Sequence, residues 1–225
     1  MDFAGKSVLV VGASGALGGG LASALAEQGA TVMATCSTPE SVGRIPASAH
    51  VHLQVDLNNP DSIDVLADYL LKNQKLDGIV LAAGRVGFGG SQHTSVTDAT
   101  ALTQVNYLGQ AHLVSRLIPL LKAGDEPFVA AITGVVAEKT FPGMHAYTAS
   151  KTAMSAWLTS LRTELRRDGI RVLEARPGHT ETGLATRALF GAAPAMPAGM
   201  APDHVVGIIM DGLAGDATVL DSGAF

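Results

Sequence analysis

At 225 residues, 47% of them apolar and only 16% charged, the chain is long enough for one well-filled α/β domain and short for two. A net charge of −5 argues against nucleic acid or an anionic membrane as the main partner. The single cysteine, Cys36, excludes an intramolecular disulfide and a multi-cysteine metal site, which fits a reducing cytoplasm; the N-terminus shows no signal-peptide pattern, and no apolar run approaches the ~18 residues of a membrane span.

Strand and helix signals alternate along the whole chain. Ser7–Val11 reads as a short apolar strand and residues 17–28 as a small-residue helix closed by Gly29. Strands are expected at 31–35 and 50–55, then a helix over Pro60–Asn73 with Pro in its first turn. A fourth strand at 78–82 precedes a long helical pattern over 98–122. A fifth strand at 127–133, a long helix over 144–168 and a sixth strand at 170–175 follow. A helix over 203–214 and a strand at 218–220 close the chain. This βαβ alternation predicts a doubly wound parallel sheet covered by helices on both faces, a single three-layer Rossmann domain over 1–225. Segment 182–201 is the exception: rich in Gly, Ala, Pro and Met with little period, it is expected to be a mobile loop with a short helix over a substrate site.

The first strand runs into Gly12-Ala13-Ser14-Gly15-Ala16-Leu17-Gly18 and then a helix. Gly12 permits the tight turn, Gly15 lets the backbone approach a diphosphate, and Gly18 allows close helix packing. The helix N-terminus adds unpaired N–H groups and partial positive charge. Gly12, Ser14, Gly15, Ala16, Leu17 and Gly18 are therefore expected to bind a dinucleotide. A carboxylate at the end of the second strand would hydrogen-bond the adenosine ribose and repel a 2′-phosphate. The chain has Thr35-Cys36-Ser37-Thr38 instead, so Cys36 and Ser37 are the expected contacts and NADP is favoured, with NAD as the alternative.

Further on, Tyr147 and Lys151 stand four residues apart, on one face of a helix about a turn from each other. A phenol ionises near pH 10, a nearby cation favours its anion, and a drop of about three units needs about 4 kcal/mol of differential stabilisation.

Taken together, the glycine loop, Tyr147-x-x-x-Lys151, Asp56-Leu57, Ala83-Gly84, Asn106 and the run Arg176-Pro177-Gly178-His179-Thr180-Glu181-Thr182 resemble the short-chain dehydrogenase/reductase family, from Lys6 to about Thr182. The resemblance implies that Asp56 binds the adenine amine and Leu57 supplies a backbone N–H. It also assigns Ala82, Ala83, Gly84, Pro177, Gly178, Thr180 and Thr182 to the cofactor site. Lys151 would hold the nicotinamide ribose and lower the pKa of Tyr147. Tyr147 would exchange a proton with a carbonyl or alcohol substrate, and Asn106 would shape the helix carrying a proton relay. A homodimer or homotetramer is implied as well, through the helices around Asn106 and Tyr147.

Two positions depart from the family pattern. The serine usually found thirteen residues before the tyrosine is Gly134, and the asparagine usually found before Ala-Gly is Ala82. Loss of one polarising hydrogen bond costs on the order of 10²–10³ in rate. Thr133 is a replacement donor only if the strand has ended or bulged there, because neighbouring strand residues face opposite sides. His93, His145 and His179 are the other candidates. Trp157, Leu158 and Leu161 read as the packed face of the Tyr147 helix, while Arg162, Glu164, Arg166, Arg167 and Asp168 read as a solvated helix end. No His/Cys cluster points to a catalytic metal. Three functions stay open: an NAD(P)-dependent oxidoreductase in the cytoplasm, a non-catalytic dinucleotide sensor or scaffold, and an isomerase or dehydratase on the same scaffold.

Overall fold

The computed structural model describes residues 1–225. Its strands are β1 (Ser7–Val11), β2 (Thr31–Cys36), β3 (Val51–Gln54), β4 (Gly78–Leu81), β5 (Phe128–Ile132), β6 (Arg171–Ala175) and β7 (Val219–Leu220). All pairings are parallel and the order is β3-β2-β1-β4-β5-β6-β7. The helices are α1 (Ala16–Glu27), α2 (Pro60–Asn73), α3 (Val96–Thr103), α4 (Gly109–Lys122), α5 (His145–Leu165) and α6 (Pro202–Ala214).

Side chains alternate across each strand, so both faces of the sheet must be covered. In β1, Leu9 and Val11 join an apolar cluster with α2, α4 and α5, while Val8 and Val10 join the one with α1 and α6. That is why the strands read as unbroken apolar runs. The chain reverses direction of travel across the sheet between β1 and β4, and the carboxyl ends of those strands open a crevice there.

The long helix expected over 98–122 runs from Val96 to Lys122, with a π-helical turn at Gln104–Leu108 between α3 and α4. The helix expected over 144–168 ends in a 3₁₀ turn, Arg166–Asp168, which Gly169 closes at φ 71°. Leu158 and Leu161 are buried, and Trp157 packs against the same core beside Tyr107 with ring centroids 6.4 Å apart. Segment 182–201 holds one short turn, Ala185–Arg187, and is anchored to the rest of the fold at two places. At its ends Met200 N donates to His179 O (2.9 Å) and Glu181 N to Met200 O (3.0 Å). In the middle, Leu189 N donates to Val86 O (2.8 Å) and Phe88 N to Phe190 O (3.0 Å). The Phe190 ring lies on Gly87, where an added Cβ would stand 2.3 Å from a ring carbon. No helix is long and apolar enough to cross a membrane.

Candidate active site

The glycine loop sits at the carboxyl end of β1. Gly12 has φ +87°, and a Cβ there would lie 2.7 Å from the backbone of Ala83, so only glycine fits both the turn and the neighbouring strand end. Gly18 is equally constrained, since its Cβ would stand 2.3 Å from Gly12 O. Gly15 is different: its Cβ position meets only Gly12 O, at 3.4 Å, and otherwise faces open space. It precedes α1, whose first turn has neither a side-chain cap nor an acidic residue. Ser14 and Leu17 are half-buried and Ala16 exposed, so the rim of the loop is accessible. Thr35 braces it from β2: Gly12 N donates to Thr35 Oγ1 (3.1 Å) and Ala13 N to Thr35 O (2.9 Å).

Of the two residues expected beside the adenosine ribose, Ser37 is exposed. Cys36 is 1% exposed, with its thiol directed at the carbonyls of Thr38 (3.4 Å) and Leu53 (3.6 Å). Its side chain therefore faces the sheet rather than the crevice. Asp56 is half-buried, and its Oδ1 accepts from Asn58 N (2.9 Å) and Nδ2 (3.1 Å), which leaves Oδ2 without a partner. Leu57 is buried and its carbonyl accepts from Gln104 Nε2 (3.2 Å). Ala82 N donates to Val11 O (2.9 Å), which extends the β1–β4 ladder to the edge of the crevice.

Tyr147 and Lys151 lie in the first two turns of α5, at the carboxyl end of β5. Lys151 is 4% exposed, and its Nζ donates to the carbonyl of Ile132, the last residue of β5 (2.8 Å). Gly84 makes room for this ammonium: a Cβ there would come within 3.4 Å of Lys151 Nζ and 3.5 Å of Asn106 Oδ1. Asn106, fully buried in the π turn, grips Arg85 from both sides. It accepts from Arg85 N (2.8 Å) and donates to Arg85 O (2.9 Å). Its Nδ2 also donates to Ser150 Oγ (2.9 Å), and Ser150 in turn donates to Tyr147 O (2.7 Å). A polar chain thus runs from the strand-end segment through Asn106 to the backbone of Tyr147. The Tyr147 side chain is half-buried and its hydroxyl makes no hydrogen bond within the chain. The resemblance implied that Lys151 lowers the pKa of Tyr147, but burial acts the other way. It pushes the phenol up to about 12 and the Lys151 ammonium down to about 8.

Gly134 adopts φ 94° and ψ 166°, a backbone region open in practice to glycine alone. The strand has indeed ended at Ile132, yet Thr133 does not take over the missing hydroxyl. Its Oγ1 donates to Glu174 Oε1 on β6 (2.7 Å), and the residue is 1% exposed. The expectation of Thr133 as a catalytic donor is corrected on that geometry. His93 and His145 are exposed, and His179 Nε2 lies 3.5 Å from Glu181. Pro177 is buried and its carbonyl accepts from Val135 N (2.9 Å). Thr180 Oγ1 donates to Gly178 O (3.1 Å) and Thr182 Oγ1 accepts from Leu184 N (3.3 Å), so this run folds on itself at the mouth of the crevice.

Several contributors lay outside the sequence expectation. Ser150, Arg85 and Thr35 carry no motif, and only the folded contacts expose their part. Glu174 did leave a signal, as a carboxylate interrupting the apolar run of β6. It is fully buried and accepts from Arg176 Nε (2.9 Å) and Nη2 (2.8 Å) as well as from Thr133. Burial alone would raise its pKa, but the bonds from Arg176 and Thr133 outweigh it and hold the carboxyl below the usual range.

A parallel α/β sheet with a glycine turn after β1 and a buried lysine one turn beyond a tyrosine defines a dinucleotide-fold class of protein. The sequence model of the short chain dehydrogenase family matches residues 6–189, and the chain belongs to that family. It is 34% identical over 179 residues to the "uncharacterized oxidoreductase YbbO" of Escherichia coli K12, covering 79% of this chain and 66% of that protein. The chain thus spans just under two thirds of the length of this relative. Among solved structures it is similar to a short chain dehydrogenase from Burkholderia cenocepacia in complex with NADP. There the TM-score is 0.85 and the identity 24%, over 100% of this chain and 91% of that one. It is also similar to a Burkholderia phymatum short chain dehydrogenase/reductase in complex with NAD (TM-score 0.86, 21% identity, 97% and 89% coverage).

Proposed function

We propose that this protein is a nicotinamide-dependent oxidoreductase that interconverts a small-molecule carbonyl and its alcohol, with Tyr147 as acid and base. The observation that carries the reading is the buried Lys151 ammonium on the Ile132 carbonyl, one helical turn from a tyrosine hydroxyl that no protein group occupies. A passive binding module has no need of that arrangement. The loop at Gly12, Ser14, Gly15, Ala16, Leu17 and Gly18 would take the diphosphate on the uncapped start of α1, and the open space at Gly15 fits its close approach. Asp56, with one carboxylate oxygen free, would meet the adenine, and Ala83, Gly84, Pro177, Gly178, Thr180 and Thr182 would line the nicotinamide half. NADP is the preferred cofactor and NAD the alternative, since Ser37 and Thr38 present hydroxyls and no carboxylate.

A nicotinamide held by these residues would supply or accept the hydride. Tyr147, a phenol whose ordinary pKa already lies well above neutral and which burial raises further, keeps its proton at neutral pH and gives it to the substrate oxygen. That state suits carbonyl reduction. Lys151 holds a hydroxyl-rich ligand against α5 and supplies the nearby positive charge that favours the phenolate left behind. Asn106, through Ser150, keeps the first turn of α5 registered against Arg85. A homodimer or homotetramer in the cytoplasm completes the reading, and sedimentation velocity reports the subunit number.

The test is NADPH oxidation by purified protein over a broad carbonyl panel. Turnover that Tyr147→Phe lowers at least a hundredfold is the expected outcome; a panel with no Tyr147-dependent turnover sinks the proposal. The second reading, a dinucleotide-binding sensor or scaffold, draws on Gly134 and on the engagement of Thr133 with Glu174. Tight NADPH binding without turnover would select it. Product formation without change in NADPH absorbance would select isomerisation or elimination instead.

A further inference from the structure

A fully buried carboxylate at Glu174, paired with a half-buried guanidinium at Arg176, needs an explanation, because an ion pair withdrawn from water is a weak device for stability and an apolar pair of similar volume serves as well or better. Their contacts supply one. Arg176 binds Glu174 through two nitrogens, donates to Ser155 Oγ on α5 (3.1 Å), and lies 3.6 Å from Glu138 in the turn after Gly134. Glu174 accepts the Thr133 hydroxyl at the end of β5. One pair therefore ties together three elements that converge on Lys151.

The geometry at Thr133 shows what the tie does. In a trans peptide the C=O of one residue and the N–H of the next point in opposite directions. Thr133 N donates to Ala175 O on β6 (2.9 Å), so the Ile132 carbonyl in the same peptide plane points away from β6, toward Lys151 Nζ. The bond from Thr133 Oγ1 to Glu174 holds that plane where β5 has already ended and glycine at 134 gives no rigidity. On the other side, Ser155 lies four residues after Lys151 on α5, so its bond to Arg176 fixes the same helix face one turn further on.

We propose that the Glu174–Arg176 pair is a positioning element for Lys151: it orients the Ile132 carbonyl through Thr133 and the register of α5 through Ser155, and so sets where the ammonium stands. This rests on the reading of Lys151 given under Proposed function. Glu174, Arg176 and Thr133 act through Lys151 and touch no reacting atom.

The experiment compares Thr133→Val, which keeps the side-chain shape and removes the hydroxyl, with Thr133→Ser, which keeps it. NADPH affinity is measured by fluorescence titration, and kcat is counted per NADPH-binding site, so that loss of folded protein does not enter. Thr133→Val should weaken NADPH about fivefold and lower kcat about tenfold, and Thr133→Ser should restore both to within twofold of the parent. Unchanged affinity and kcat in Thr133→Val, whatever its melting temperature, would overturn the proposal, as would Thr133→Ser failing to restore them. Should the parent bind NADPH yet turn over no carbonyl, the oxidoreductase reading fails, and affinity alone then decides the positioning role by the same fivefold criterion. If Thr133→Val does not fold, Ser155→Ala replaces it: about threefold weaker NADPH supports the proposal and unaltered affinity overturns it.

Discussion

Gly134 stands thirteen residues before Tyr147, where the resemblance implies a serine, and its backbone decides what a substitution there can do. At φ 94° and ψ 166° a side chain is strained by about 1–3 kcal/mol even though the nearest atoms, Pro177 O at 3.5 Å and Val136 Cγ2 at 4.0 Å, leave room for a Cβ. The missing hydroxyl is therefore not one substitution away. Gly134→Ser should lower the melting temperature by about 2–10 °C and leave kcat no higher than the parent's. A tenfold gain in kcat would mean that the turn relaxes to a conformation in which residue 134 faces the substrate. The counting that located Gly134 was legible in the chain, whereas its backbone angle was not. Thr133 shows the same divide. Its proximity to the site could be read from the sequence, but the direction of its hydroxyl depends on Glu174, which lies 41 residues away on a neighbouring strand.

Among the elements, the strands and long helices were visible in the sequence because each is a short apolar run or a helical period bounded by Gly or Pro. Four 3₁₀ turns and the π turn were not. The π turn at Gln104–Leu108 hides because one widened turn leaves the surrounding helical period intact, and its cause is a tertiary contact. A Cβ on Gly109 would stand 2.3 Å from Leu57 O, and Gln110 Nε2 donates to both Ala83 O (3.1 Å) and Val105 O (2.9 Å). The helix is thus pulled against two strand ends, with Asn106 at the point of distortion. Asn106→Ala leaves Arg85 N–H, Arg85 C=O and Ser150 without their partner, at a cost on the order of 3 kcal/mol. Urea unfolding should show that loss as a lower midpoint with an unchanged slope. A variant as stable as the parent would mean that water replaces the amide fully and that the polar chain to Tyr147 is dispensable.

For the molecule as a whole, the sheet that brings the glycine loop and α5 together also withdraws two titrating groups from water, Lys151 fully and Tyr147 in part, and folding stability must register both. In the unfolded chain Lys151 holds its proton up to about pH 10.5, but in the fold only up to about 8. Across that window the unfolded chain binds more protons, so raising the pH favours the folded state, by about 3 kcal/mol if the full difference is realised. Tyr147 acts oppositely and later. Its pKa is raised from 10 to about 12, so above pH 10 the fold retains a proton that the unfolded chain releases, and stability falls as pH rises further. Lys151→Met removes the first titration and leaves the second and every surface group in place. The stability of the parent relative to Lys151→Met should therefore rise between pH 8 and 10.5, measured by urea unfolding at several pH values. A constant difference across that range would mean that the lysine titrates in the fold as it does in water. The Ile132 carbonyl and the neighbouring Gly84 would then not hold it in a desolvated site, and Lys151 would stay a cation throughout the range in which the proposed proton transfer from Tyr147 runs.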